Sequence, residues 1–146
     1  MGTEMNPVNV RNLTAAILGL ILLSPLNLAA LRVLPHESAW PLALVFLMDV
    51  LGVWMSVRGF RSPGVAIALA CTANVPLLWW VGVPEAGEWT GLLAVPKFAL
   101  FLAVGWWAWW RRRDAIPRLR WLGAVVPTVC CAYIVLSPFI SAGLWR

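Results

Sequence analysis

Two charged side chains lie inside apolar stretches that are each long enough to cross a lipid bilayer. Asp49 lies ten residues inside one stretch, and Lys97 lies seven residues inside another. A charge near the bilayer centre costs at least about 2.5–3.5 kcal/mol, so it persists mainly where it is paired, faces water or has a function. A carboxylate in such a place takes up and releases protons as its hydration and pairing change. Asp49 and Lys97 are therefore the candidate functional residues.

The composition is typical of a membrane protein. Of the 146 residues, 62% are hydrophobic and 12% are charged, whereas about a quarter of a soluble domain is charged. The polar segments are too short to form a soluble domain, so we expect one membrane domain over residues 1–146. Ten of the eleven basic residues are arginines that flank apolar stretches. Because membrane proteins use such arginines for anchoring and orientation, a nucleic-acid partner is not expected.

Five apolar segments have the length that an α-helix needs to span about 30 Å of hydrocarbon. They occupy residues 13–33, 39–57, 64–83, 90–110 and 121–143. The connections between them are short, which forces neighbouring helices to run antiparallel. We expect an all-α integral membrane protein, built as an up-and-down bundle of five transmembrane helices.

The arginines also predict how this bundle lies in the membrane. With five spans, eight arginines fall on the side of the N-terminus and two fall on the opposite side. Positive residues are retained in the cytoplasm, so we expect a cytoplasmic N-terminus and an external C-terminus. The first segment is interpreted as an uncleaved helix rather than a signal peptide. The membrane is expected to be a bacterial or archaeal cytoplasmic membrane.

This topology brings the polar residues within the segments to a common depth. At about 1.5 Å per residue, Asp49, Asn74 and Lys97 lie roughly 10–15 Å below the outer boundary. Near the same level fall Ser24, Cys130 and Cys131. The first hypothesis is a small carrier or channel-like protein with Asp49, Asn74 and Lys97 in its pathway or substrate-binding site.

Other hypotheses account for the same residues. Asp49 and Lys97 could form a salt bridge that only fixes the helices. Alternatively, the pair docks partner helices, and the chain is a non-catalytic accessory or assembly subunit of a larger membrane complex. The eleven tryptophans indicate aromatic belts at the two membrane surfaces, and a second interpretation is a site for a flat lipophilic ligand.

Several classes of site are not indicated by the sequence. It contains no recognisable catalytic motif, and no catalytic residue is predicted. Three cysteines and the single histidine, His36, do not predict a metal or haem site, and no cofactor is expected. Arg111, Arg112 and Arg113 follow an aromatic cluster, and we expect them to bind anionic lipid headgroups. The expected partners are the bilayer and either further copies of the chain or other membrane subunits.

Overall fold

The computed structural model describes residues 7–34, 40–82, 88–111 and 116–144 of the chain. Within these ranges every regular element is helical, and the prediction of an all-α fold is confirmed there. In chain order these elements are α1 Pro7–Ile21, a π-helical turn Leu22–Leu26, α2 Asn27–Val33, α3 Trp40–Gly59, α4 Pro63–Ala73, α5 Val75–Val81, α6 Glu88–Arg111 and α7 Arg120–Leu144.

Three of the described helices are long and apolar enough to cross a membrane. They are α3, α6 over Gly91–Arg111 and α7 over Arg120–Gly143. Helices α4 and α5 pass the same test as a pair, although the pair is bent by 47°. By length and composition, the described residues thus contain three spans, or four if the bent pair is one span. Apolar helices of this length indicate a membrane protein.

The predicted first segment, residues 13–33, is not one uninterrupted α-helix. Its regular apolar part, Val10–Ile21, falls short of the length of a span. The chain then forms the π-helical turn, which contains Pro25, a residue without the N–H that an α-helical ladder requires. The helical path continues through α2 to Val33. The segment was predicted, whereas the π-helical turn inside it was not.

The predicted third segment, residues 64–83, is also interrupted. Helix α4 ends at Ala73, and Asn74 leaves the helical conformation, with φ of −96° and ψ of 6°. Helix α5 then begins with Val75 and Pro76. Proline fits the first turn of a helix because the N–H it lacks would have no partner there. The break at Asn74 therefore lies two residues before Pro76, a residue type that starts a helix well and continues one poorly.

Helix α4 is the central helix of the bundle. It contacts α1, α3, α5, α6 and α7, and most of its buried residues are small. A Cβ atom on Gly105 of α6 would overlap the carbonyl oxygen of Gly123 of α7, and one on Gly123 would overlap the backbone of Gly64 of α4. Helices α4, α6 and α7 thus meet at glycines, which allow backbones to approach closely inside a membrane.

The outer surface of the bundle is apolar. Within an 18-residue apolar stretch of each of the three long helices, only 33–39% of the residues are buried inside the chain. Large side chains such as Trp79, Trp110 and Phe139 are more than two-thirds exposed. This surface is suited to contact with lipid or with other apolar helices.

Candidate functional site

The candidate site lies where α3 and α6 face each other inside the bundle. The buried residues of α3 recur every three or four positions, and Asp49 belongs to this inward face. On α6, Lys97 shares the buried face with Phe98 and Phe101. Lys97 Nζ lies 3.1 Å from Asp49 Oδ1, and neither side chain is exposed. Two of the three predicted pathway residues thus form an internal ion pair.

The π-helical turn and Asn27 complete the site. The carbonyl oxygen of Leu23 accepts hydrogen bonds from Lys97 Nζ at 2.8 Å and from Asn27 Nδ2 at 3.2 Å. A π-helical turn replaces the regular α-helical hydrogen bonds, and such turns are frequent at functional sites. Asn27 Nδ2 also donates to Asp49 Oδ1. Asn27 and Leu23 therefore connect the first helical segment to both members of the ion pair.

Two oxygen atoms of this site have no hydrogen-bond partner within the described part of the chain. They are Asp49 Oδ2 and Asn27 Oδ1, and both atoms are buried. A buried polar atom that makes no hydrogen bond costs about 1–3 kcal/mol. The two side chains are already joined by the bond from Nδ2 to Oδ1. In each side chain, therefore, one polar atom is hydrogen-bonded to the other side chain and one oxygen has no partner among the described residues.

The structure does not connect Asn74 to the ion pair by a hydrogen bond. Asn74 is buried at the break between α4 and α5, and its Nδ2 donates to the carbonyl of Ala70 at 2.7 Å. Among the described residues, the hydrogen bonds of Asp49 and Lys97 run to Asn27, to Leu23 and to each other. A role of Asn74 in a pathway stays a prediction.

A thiol cluster also interacts with Lys97. Cys71 of α4 interacts electrostatically with Lys97, and its thiol lies beside that of Cys130 on α7. Both belong to the same buried apolar core, and all three cysteines are free thiols. Over the described residues, no group of three or more His, Cys, Asp or Glu is placed to hold a metal ion.

Some of the predicted residues are described only in part. Arg111 is the exposed last residue of α6. Arg112 and Arg113 lie outside the described residues, and the side chain of Ser24 is likewise not described. The lipid-headgroup role of the three arginines therefore stays a prediction.

An apolar groove lies on the outside of α3 and α6, next to the ion pair. It has a volume of about 910 Å³, and Leu42, Phe46, Leu92 and Pro96 are among the residues that line it. Pro96 directly precedes Lys97 in α6, but the Lys97 side chain points into the bundle and has no exposed surface. The groove and the ion pair are thus separate features of neighbouring faces.

Asn27 is not among the site residues that the sequence predicts. An amide within an apolar segment is costly unless it is hydrogen-bonded, and this was the available signal. Helical spacing agrees with it, because Ala16, Gly19, Leu23 and Asn27 are buried at intervals of three or four positions along the segment.

The fold and the site together define a helical membrane protein with an ion pair buried in its interior. In comparisons with known proteins, no protein-family model matches the chain, and neither a curated protein nor a solved structure matches it.

Proposed function

We propose that the chain is a small membrane carrier or channel-like protein, and that Asp49, Lys97 and Asn27 form the binding site in its pathway. The supporting observation is the pair of buried oxygens, Asp49 Oδ2 and Asn27 Oδ1, that lack partners among the described residues. Polar groups that serve stability alone are normally satisfied, since each open acceptor costs about 1–3 kcal/mol. A binding site keeps such atoms available for what it binds.

The burial of the ion pair fits a carrier in an occluded conformation. Asp49 and Lys97 have 0% exposed surface, so water reaches the pair from neither side in this conformation. A carrier with alternating access opens its site to each side in turn. Interrupted helices beside the site also support this proposal, because transporters use them at their binding sites. In this arrangement Asn74 lines the pathway at the break between α4 and α5.

The proposed carrier has five spans, of which residues 7–33 form the first. Its N-terminus is cytoplasmic and its C-terminus is external, in the cytoplasmic membrane of a bacterium or archaeon. Arg111, Arg112 and Arg113 then lie at the cytoplasmic surface and contact anionic headgroups. Further copies of the chain or other membrane subunits cover part of the apolar outer surface.

The alternative roles receive different support from the geometry. Burial of both charges inside one chain does not favour a docking role for the pair, because a docking charge has to reach the outer face. The groove on α3 and α6 favours a second candidate function, the binding of a lipophilic ligand. Native mass spectrometry of the purified protein checks this function, because a co-purified lipophile adds a defined mass that Leu92→Trp is expected to remove.

Access of water to the core tests the carrier proposal without knowledge of the substrate. Cys71 is fully buried beside Lys97, and it is the only thiol in a Cys130→Ser/Cys131→Ser variant. If the site opens, a charged thiol reagent that does not cross membranes modifies Cys71 of the folded protein in proteoliposomes. The extent of modification is measured by mass spectrometry.

A lipid-facing cysteine provides the matched control. Val135 of α7 is 63% exposed on the outer surface, and Val135→Cys in a variant without the native cysteines places a thiol in the hydrocarbon. We expect Cys71 to react faster than this control. If Cys71 reacts only after denaturation, or no faster than the control, the carrier proposal is wrong.

A further inference from the structure

Asp49 and Asn27 share one of the two hydrogen bonds of a carboxylic acid–amide pair, and one oxygen of each is left without a partner among the described residues. Such a pair makes two hydrogen bonds, one from the amide N–H to a carboxyl oxygen and one from the carboxyl O–H to the amide oxygen. The first bond is present, since Asn27 Nδ2 donates to Asp49 Oδ1. The second would join Asp49 Oδ2 to Asn27 Oδ1, and these are the two oxygens without a partner among the described residues. One proton on Oδ2 therefore satisfies both atoms.

We infer that Asp49 and Asn27 form a proton-binding site, and that the proton is the ion that the protein carries or uses to drive transport. The second part rests on the proposed carrier function, whereas proton binding does not. In the binding step, a proton passes from hydronium to Asp49 Oδ2. One O–H bond forms there, one O–H bond of the hydronium breaks, and a neutral carboxyl group and a water molecule result.

Lys97 connects proton binding to opening of the site. While Asp49 is ionised, the charges of the pair cancel, and both side chains remain fully buried. Once Asp49 is protonated, the ammonium group of Lys97 has only the carbonyl of Leu23 as a described acceptor besides a neutral carboxyl group. An unpaired ammonium is unfavourable in a dry interior. Protonation therefore favours a conformation in which water reaches Lys97.

Few other charged or titratable groups face this pair. Helix α6 contributes Lys97 and α3 contributes Asp49, and the two interact with each other. From α4, Cys71 interacts electrostatically with Lys97, and Cys71 in turn interacts with Cys130 of α7. The first helical segment contributes Asn27 and the carbonyl of Leu23, neither of which titrates. Among the described residues, Asp49 is thus the carboxyl group at this site, and the proton is assigned to it.

Infrared spectroscopy tests proton binding without a substitution at the site. The chain has two aspartates, Asp49 and Asp114. In an Asp114→Asn variant made by cell-free synthesis with unlabelled asparagine and with aspartate that carries ¹³C in its side-chain carboxyl group, the label reports on Asp49. Difference spectra between neutral and acidic buffer are expected to show a labelled C=O band of a protonated, hydrogen-bonded carboxyl group. The proposal is overturned if no labelled band appears while the protein remains folded.

The Asn27→Leu variant tests whether the protonated carboxyl group of Asp49 is hydrogen-bonded to Asn27. Without the amide, the labelled band is expected to move to the higher frequency of a carboxyl group with weaker hydrogen bonding. A band that keeps its frequency in Asn27→Leu contradicts the pairing of Asp49 with Asn27.

The coupling to opening is tested with the Cys71 reaction. Its rate, divided by the rate of a free thiol at the same pH, is expected to rise several-fold on acidification. This rise is expected to vanish in Asp49→Asn and to persist in Gly143→Ala, where a Cβ meets open space. A pH-independent normalised rate overturns the coupling.

If Cys71 is accessible but the labelled band is absent, the carrier proposal stands and the proton assignment fails. If the labelled band appears but Cys71 stays inaccessible, the proton assignment stands and the carrier proposal is wrong.

Discussion

A buried charge that loses its partner is much less stable than the buried pair, and this governs substitutions at Asp49 and Lys97. Asp49→Asn and Lys97→Met are each expected to lower the free energy of unfolding by about 3–5 kcal/mol, because each leaves one charge buried and unpaired. The double variant Asp49→Asn/Lys97→Met is expected to be more stable than either single variant. Unfolding in detergent, followed by circular dichroism against temperature or denaturant, measures the differences.

A distant hydrogen bond provides the control for this comparison. Thr128→Ala removes the bond that Trp106 Nε1 donates to Thr128 Oγ1, on neighbouring faces of α6 and α7. Its effect is expected to be additive with Asp49→Asn, since the two sites share no partner. If the effects of Asp49→Asn and Lys97→Met are also additive, the two residues do not stabilise each other as the structure indicates.

The residues of the site differed in how well the sequence predicted them. Asp49 and Lys97 were predictable because a charge in an apolar segment is rare, whatever the backbone does around it. Their contact also agrees with the common depth that the arrangement of segments predicts. Asn27 lies on the buried face at regular helical spacing from Leu23, but an amide in an apolar segment is a weaker signal than a charge. The role of these residues in transport remains a prediction.

At the scale of helices, the glycine contacts predict which small residues tolerate a methyl group. Gly105→Ala is expected to destabilise the protein by about 1–3 kcal/mol, because its Cβ overlaps the backbone at Gly123 and α6 must move away from α7. Gly91→Ala is the matched control on the same helix, since a Cβ there meets nothing within 4 Å. Thermal unfolding of both variants in detergent measures the difference. Equal stability of the two variants would show that α6 and α7 are not in such close contact.

The helices also show what apolar segments fail to predict. Residues 13–33 and 64–83 were both expected as single spans, and both are interrupted. The prolines alone do not indicate where the interruptions lie, because Pro96 lies inside the continuous helix α6, whereas Pro76 lies at the beginning of α5. Apolar composition reports on contact with lipid, whereas an interrupted helix also depends on polar contacts with the rest of the fold, such as the hydrogen bond from Lys97 to the Leu23 carbonyl.

At the scale of the whole molecule, the proposed topology predicts where each connection lies. Alkaline phosphatase fused after residue 36, 86 or 146 is expected to be active, because these positions are external. The enzyme is expected to be inactive after residue 61 or 115, where a green fluorescent protein fusion is expected to be bright. The reason is the excess of arginines on the cytoplasmic side. An inactive fusion after residue 36 would contradict the first span, and an inactive fusion after residue 86 would contradict the bent pair as a span.

The ion pair connects two groups of helices that each have close contacts of their own. Helices α4, α6 and α7 are held together at Gly64, Gly105 and Gly123, while α1 packs mainly on α3. Lys97 belongs to the first group, whereas its partners, Asp49 and the Leu23 carbonyl, belong to the second. The ion pair thus joins the two groups of helices, and in the proposed carrier a movement of one group against the other would release Lys97 from both partners at once.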